Sequence, residues 1–261
     1  MHFALCTLHY KKMETTKKKL ITLADVKANP RIKALVNGAN KYLEVKGYTE
    51  HGLRHVGYVG NTTKNILREL GFDERTQELG QIAGWMHDIG NCVNRKYHGL
   101  TGATLSYQIL DRMGMHADEI TTIMVAIGNH EEDYGMPVNP VSAALILADK
   151  SDAHRTRVRR NGARDPDDIH DRVNYSIKKN FVVVDKEDRV IKLVLFMDHS
   201  SSIMEYFQIF MARMSLCEQA ATFLGCAFEL VVNDLVINNH RMPQRPQALK
   251  LDKGETNVSE D

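Results

Sequence analysis

A mainly α fold, a helical bundle followed by a small β-β-α-β unit, is what the apolar spacing of these 261 residues predicts. From about residue 22 to 160 apolar residues recur at helical intervals, and short stretches such as "KGYTEHG", "LGFDE" and "RMGMHAD" punctuate them. From 177 to 236 the pattern changes to β-branched runs around one amphipathic segment. A chain of this length supports one good core, or a core with a small appended unit, rather than two equal domains.

In "HVGYVGNTTKNILREL", Val56, Val59, Ile66, Leu67 and Leu70 form one helical stripe, and His55, four residues before Val59, shares its inward face. Leu79, Ile82, Ala83 and Met86 form the next stripe, and the pair His87-Asp88 follows as that helix ends near Gly90-Asn91. The pair therefore projects from a helix terminus beside the core. His98 begins the following helix, and His130 continues the stripe of Ile120, Ile123, Met124 and Ile127. "VSAALILADKSDAHRTRVRR" opens as a run that is apolar nearly all round, hence a buried helix, which meets Asp149 and Asp152. An acid there is costly unless something pairs with it. The same helix is expected to continue through residues 154–160 and to bring four arginines within about two turns.

Beyond it, "FVVVDKEDRVIKLVLFMD" reads as a hairpin, "SSSIMEYFQIFMARMSLCEQAATFLG" as a helix with a serine N-cap, and "CAFELVVND" as one more strand. Four segments result. Residues 1–20 are an N-terminal extension given no fold role, with Met13 an alternative start. Residues 21–176 form the helical domain and 177–238 the α+β unit, which shapes the pocket or mediates self-association as a homodimer. Residues 239–261 are polar and proline-bearing, as a disordered tail is.

Composition narrows the partners. With 43% hydrophobic and 26% charged residues and a net charge of +1, the chain has no global attraction to nucleic acid or to a membrane. Cys6, Cys92, Cys217 and Cys226 are scattered, which excludes a zinc ribbon and suits reduced thiols in the cytoplasm. No stretch has the roughly 18 apolar residues of a membrane span, and "MHFALCTLHY" lacks a signal peptide's apolar core and cleavage pattern.

The polar residues that fall on inward faces or helix ends are His51, His55, His87, Asp88, His98, His130, Asp149 and Asp152. Singly, each reads equally as a satisfied core residue or a helix cap. Together, imidazoles and carboxylates from separate helices suit a divalent ion such as iron, manganese, cobalt, nickel or zinc, with magnesium also admissible. The absence of cysteine speaks against structural zinc. His51, one turn before His55, reads as a ligand, a phosphate contact or an N-cap neighbour; Asp152 reads as support for a neighbouring side chain.

The order His55, His87-Asp88, Asp149 resembles the H, HD, D pattern of the HD superfamily of metal-dependent phosphohydrolases, with "HVGYV", "MHDIGN" and "LADKSDA" similar to its motifs. "YHGLTGATL" and "GNHEEDYGMP" resemble the extra histidine motifs of members that hold two metals, such as the HD-GYP group. "DYGMP" departs from the GYP signature, however, and Asn91 stands where that group has lysine. The chain is more similar to stand-alone prokaryotic HD proteins that end in a short α+β unit, a likeness spanning roughly residues 25 to 235.

The resemblance implies an HD-type bundle with two divalent ions, Asp88 bridging them and His98 and His130 on the second. It implies hydrolysis of a phosphate ester, in a nucleotide or small phosphorylated metabolite, through a metal-bound hydroxide. Asp88, Lys150 and Arg54 are the expected catalytic residues, the two cations neutralising phosphate. Arg155, Arg157 and the loop residues Asn91, Asn94, Arg95 and Lys96 are further candidates for substrate contact. Two rival readings fit the same ligands: a metal- or nucleotide-binding regulatory module without turnover, and a diiron oxygenase.

Overall fold

The computed structural model describes residues 20–159 and 167–238; the expected N-terminal extension and C-terminal tail lie outside the described residues. Helix starts are written in the sequence. Thr22 and Asp25 form a capping box for α1 (Leu23–Ala28), and Asn29 followed by Pro30 opens α2 (Pro30–Val45). α3 (Leu53–Glu69) and α4 (Glu74–Met86) follow, the latter capped by Asp73 through Thr76 N. A short 3-10 turn at Ile89–Cys92 leads to α5 (His98–Met113), which ends at Gly114 in the left-handed region. α6 (Ala117–Gly128) is capped by His116, and α7 (Pro140–Ser151) begins with an Asn139/Ser142 capping box and Pro140.

The stripes point where expected. Val56, Val59, Ile66 and Leu67 of α3 and Ile82, Ala83 and Met86 of α4 are buried, and α7 is buried over nearly its whole length. α3 and α4 touch backbone to backbone: a Cβ on Gly84 would lie 2.6 Å from Gly60 Cα and 2.7 Å from Gly60 N. Gly84→Ala is therefore expected to destabilise the chain by about 1–3 kcal/mol. A urea midpoint unchanged from wild type would contradict this packing.

The C-terminal part begins with α8 (Ile169–Ser176), a helix the sequence patterning did not announce, capped by Asp168 through His170 N. β1 (Ile177–Asp185) and β2 (Val190–Met197) form the antiparallel hairpin, α9 (Ile203–Phe223) crosses over from a Ser202/Glu205 capping box, and β3 (Ala227–Val232) returns parallel to β2. A two-residue strand, β4 (Leu235–Val236), completes the order β1-β2-β3-β4. Asn233 and Asp234, both at positive φ, make the turn into it. Tyr206, Phe210 and Ala220 of α9 and Ile191, Leu193 and Leu230 of the sheet join the same continuous core as Leu145 and Ile146 of α7. Among the described residues no helix is long and apolar enough to cross a membrane.

One expectation fails. α7 does not continue through residues 154–160: it stops at Ser151, Asp152 leaves helical geometry (φ −81°, ψ 67°), and only a 3-10 turn at Arg155–Arg157 follows. The cause is Asp152 itself, whose buried carboxylate is drawn to Arg54 and His55 on α3. Of the four arginines, Arg160 lies outside the described residues. Arg155 pairs with Asp198 (2.9 Å) beside the sheet, Arg157 is buried, and Arg159 binds backbone carbonyls of Asn40 and Tyr48.

Candidate metal centre

Five helices deliver the polar residues to one place. His55 comes from the first turn of α3, His87-Asp88 from the end of α4, His98 from the start of α5, His130 from just past α6 and Asp149 from the last turn of α7. Tyr97, left-handed at φ 61°, turns the chain so that α5 begins with its histidine facing inward. All four of these histidines are buried.

Each histidine is oriented from behind. His55 Nδ1 donates to Asp152 Oδ2 (2.7 Å), while His87, His98 and His130 donate Nδ1–H to the carbonyls of Gly84 (2.9 Å), Arg95 (3.0 Å) and Ile127 (2.6 Å), each three residues upstream. Those carbonyl and carboxylate oxygens only accept, so every Nδ1 carries a proton and every Nε2 faces the centre, free to act as a ligand whenever its ring is neutral. His98 Nδ1 also lies 3.0 Å from Glu131, which in turn accepts from Gly99 N (2.6 Å) and the Tyr134 hydroxyl.

The inward atoms form two groups that share Asp88. His55 Nε2 and His87 Nε2 are 3.2 Å apart; Asp88 Oδ2 lies 3.4 Å from both, and Asp149 Oδ1 lies 3.3 and 3.5 Å from them. On the other side, Asp88 Oδ1 is 3.1 Å from His98 Nε2, itself 3.1 Å from His130 Nε2. Asn91 holds that same Oδ1 with its amide (2.8 Å).

A divalent cation fits this set. Asp88 Oδ2 is buried and accepts no hydrogen bond, an expensive condition for a carboxylate oxygen unless a cation faces it. The Nε2 lone pairs of two neutral imidazoles would repel at such separations. Two ligands of one ion, each about 2.1 Å from it, stand about 3.0–3.4 Å apart, close to the spacings found here. The sets His55–His87–Asp149 and His87–Asp88–His130 each bring their donor atoms within 4.8 Å of one another. The donors follow the order histidine, histidine-aspartate, aspartate that the sequence resemblance implies.

No family model matches the chain. It is similar to an uncharacterized protein of Methanocaldococcus jannaschii, with 23% identity over 184 residues that cover 62% of this chain and 70% of that protein. It is also similar to the crystal structure of a predicted HD superfamily hydrolase from an uncultured Thermotogales bacterium, at 23% identity and a TM-score of 0.39, covering 48% of this chain and 67% of that one.

The electrostatics of the centre follow from burial and crowding. Burial alone would raise the carboxyls of Asp88 and Asp149, yet His87 beside the first and Lys150 beside the second hold both well below the usual carboxylate range. Burial disfavours a charged His87, but the two carboxylates outweigh it and push its pKa up to about 10. His130 goes the other way, to about 3, through burial and the nearby cationic His98 and His87. Similar rings thus diverge because positive charge crowds the space.

Lys150 and Arg54 reach the centre as partners of carboxylates. Lys150 Nζ lies 2.8 Å from Asp149 Oδ2 and 3.1 Å from Glu132, which also pairs with Arg213 of α9 (2.7 Å). Burial would favour a neutral Glu132, but these two cations hold it at about 2. Arg54 grips Asp152 with two nitrogens (3.2 and 2.6 Å) and Glu50 with a third (3.1 Å), behind His55. His51 belongs to neither donor group. Its Nδ1 lies 2.6 Å from the Thr49 carbonyl, its ring centre is 5.3 Å from that of His55, and burial with the nearby Arg157 charge lowers its pKa well below 6.5.

A cavity of about 380 Å³ opens beside His51 and Arg157, walled also by Tyr48, Arg95, Phe210 and Arg213. α9 therefore forms part of its wall. Residues 91–96 divide their roles. Asn91 is buried under Asp88, Asn94 and Lys96 line a neighbouring cavity, and Arg95 borders both cavities and touches the His98 ring at 3.2–3.3 Å. The supporting roles of Glu131 and Glu132 escaped the sequence reading; their adjacency to His130 in "GNHEED" is the signal that was there.

Proposed function

We propose that this chain is a metal-dependent phosphohydrolase of the HD type acting on a phosphate ester in a nucleotide or small phosphorylated metabolite. The single observation that carries the reading is the Asp88 carboxylate, whose two oxygens face two different histidine groups, an arrangement suited to a pair of ions. His55, His87 and Asp149 would hold one ion and His98 and His130 the other, with Asp88 shared. When bound, such ions polarise a phosphoryl group and acidify a coordinated water.

The chain's own residues supply the rest. Asp152 and Glu131 orient the His55 and His98 rings, Asn91 fixes the Asp88 carboxylate, and Lys150 offsets the charge on Asp149. Arg95, half-buried between His98 and the cavity, is the cation best placed to meet a phosphoryl oxygen. His51, neutral at the cavity wall with its Nδ1–H given to the Thr49 carbonyl, offers an Nε2 lone pair that can accept a hydrogen bond or a proton from a molecule in the cavity.

Stripping divalent metal with a chelator should abolish hydrolysis of a phosphoester panel, and manganese should restore it, with elemental analysis near two ions per chain. Activity that persists in metal-free protein would overturn the reading. Oxygen consumption with a mixed-valent diiron signal, in place of phosphate release, would assign the site to the oxygenase class.

A further inference from the structure

Charges around the centre close in pairs, with three exceptions. Arg54 and Arg157 face Glu50 and Asp152, while Lys150 and Arg213 face Glu132 and Asp149. Arg95, Lys46 and Lys96 have no carboxylate partner among the described residues, and Lys96, over the Tyr97 ring, reaches only the neighbouring cavity. Arg95 touches the His98 ring and lies 5.8 Å from the Tyr48 ring centre, and Lys46 lies 5.9 Å from that of Tyr42. Arg95 and Lys46 line both the 380 Å³ cavity and its neighbour; Glu131, Glu132 and Asp133 also line the neighbour, so the excess of positive charge falls in the 380 Å³ cavity. Asp168 and Asp171 also face the first cavity, from α8, where Asp168 is occupied as the helix cap.

A lone phosphoryl group at the metal centre would meet Arg95 and leave Lys46, exposed on the cavity rim, without a counter-charge. We propose that the cavity is a subsite for a second oxyanion. On this inference, which rests on the hydrolase reading, the substrate is a compact phosphate ester that also carries a carboxylate or another phosphate. Arg95 meets both ends of it, and Lys46 selects the second. A cavity near 380 Å³ is at the low end of small-molecule sites, which suits a phosphorylated sugar, short acid or mononucleotide and disfavours a dinucleotide.

The test is equilibrium binding by calorimetry to the full metal-free chain, where no turnover intervenes, using matched probes: phosphoglycolate against ethyl phosphate, and fructose bisphosphate against fructose monophosphate. The second oxyanion should tighten binding by about tenfold or more, as a charge-assisted contact does. Lys46→Met should remove most of that gain and Lys46→Arg should retain it. Lys46 is exposed, so its variants should keep the wild-type melting profile. A gain in only one pair identifies the oxyanion as carboxylate or phosphate. Equal affinities within both pairs, or a gain that survives Lys46→Met, would overturn the subsite. If the gain depends on Lys46 but the manganese-loaded chain hydrolyses none of the probes, the hydrolase reading falls and the subsite stands. Hydrolysis without any gain gives the reverse.

Discussion

Asp88→Asn should lower kcat/KM for any phosphoester that the proposed hydrolase accepts by about a thousandfold, with the fold intact. Asparagine keeps the shape of the side chain but cannot bring a negative oxygen to both histidine groups. A metal site contributes several kcal/mol of charge stabilisation to a phosphoryl transition state. At 1.36 kcal/mol per factor of ten, that corresponds to about three decades of rate. Metal content should fall together with activity, and elemental analysis of the variant checks it. Near-wild-type turnover in a well-folded Asp88→Asn protein would remove Asp88 from the chemistry.

The largest effect on stability is expected from Asp152→Ala. Asp152 is buried and pairs with Arg54, His55 and, at 3.8 Å, Arg157. Removing it leaves Arg157 buried beside an unanchored His55, and loss of one partner of a buried ion pair costs about 3–5 kcal/mol. His55 would also lose the acceptor that fixes its tautomer, and such supporting groups are worth about 10–100-fold in metal affinity. Urea denaturation reads the first effect and metal titration the second. A loss of affinity without a loss of stability would show that Arg54 and Arg157 find other partners, Glu50 being the nearest to Arg54.

Much of this architecture is local in origin and therefore legible in the chain. Periodicity placed His55 on an inward face because Val56 and Val59 are on it, and the α4 stripe placed His87-Asp88 at a helix end beside the core. The hairpin, α9 with its serine cap and β3 are equally local signals. What patterning could not supply is partnership across long separations. The Arg54–Asp152 pair joins residues 98 apart in sequence, and it is this pair, with His55, that breaks the expected extension of α7. Glu132 has the same character: a second acidic position in a polar loop reveals nothing of Lys150 and Arg213 closing over it. α8 went unannounced because its eight residues are too few for periodicity to stand out.

The three histidines that donate Nδ1–H to the carbonyl three residues upstream have a consequence of another kind. Their tautomers are set by the backbone, so the donor geometry is present as soon as the helices pack. Ring orientation is therefore a property of the fold and not of a bound ion. The backbone thus sets where the donors point but not which metal they would prefer, since nitrogen and oxygen donors of this kind accept several transition metals.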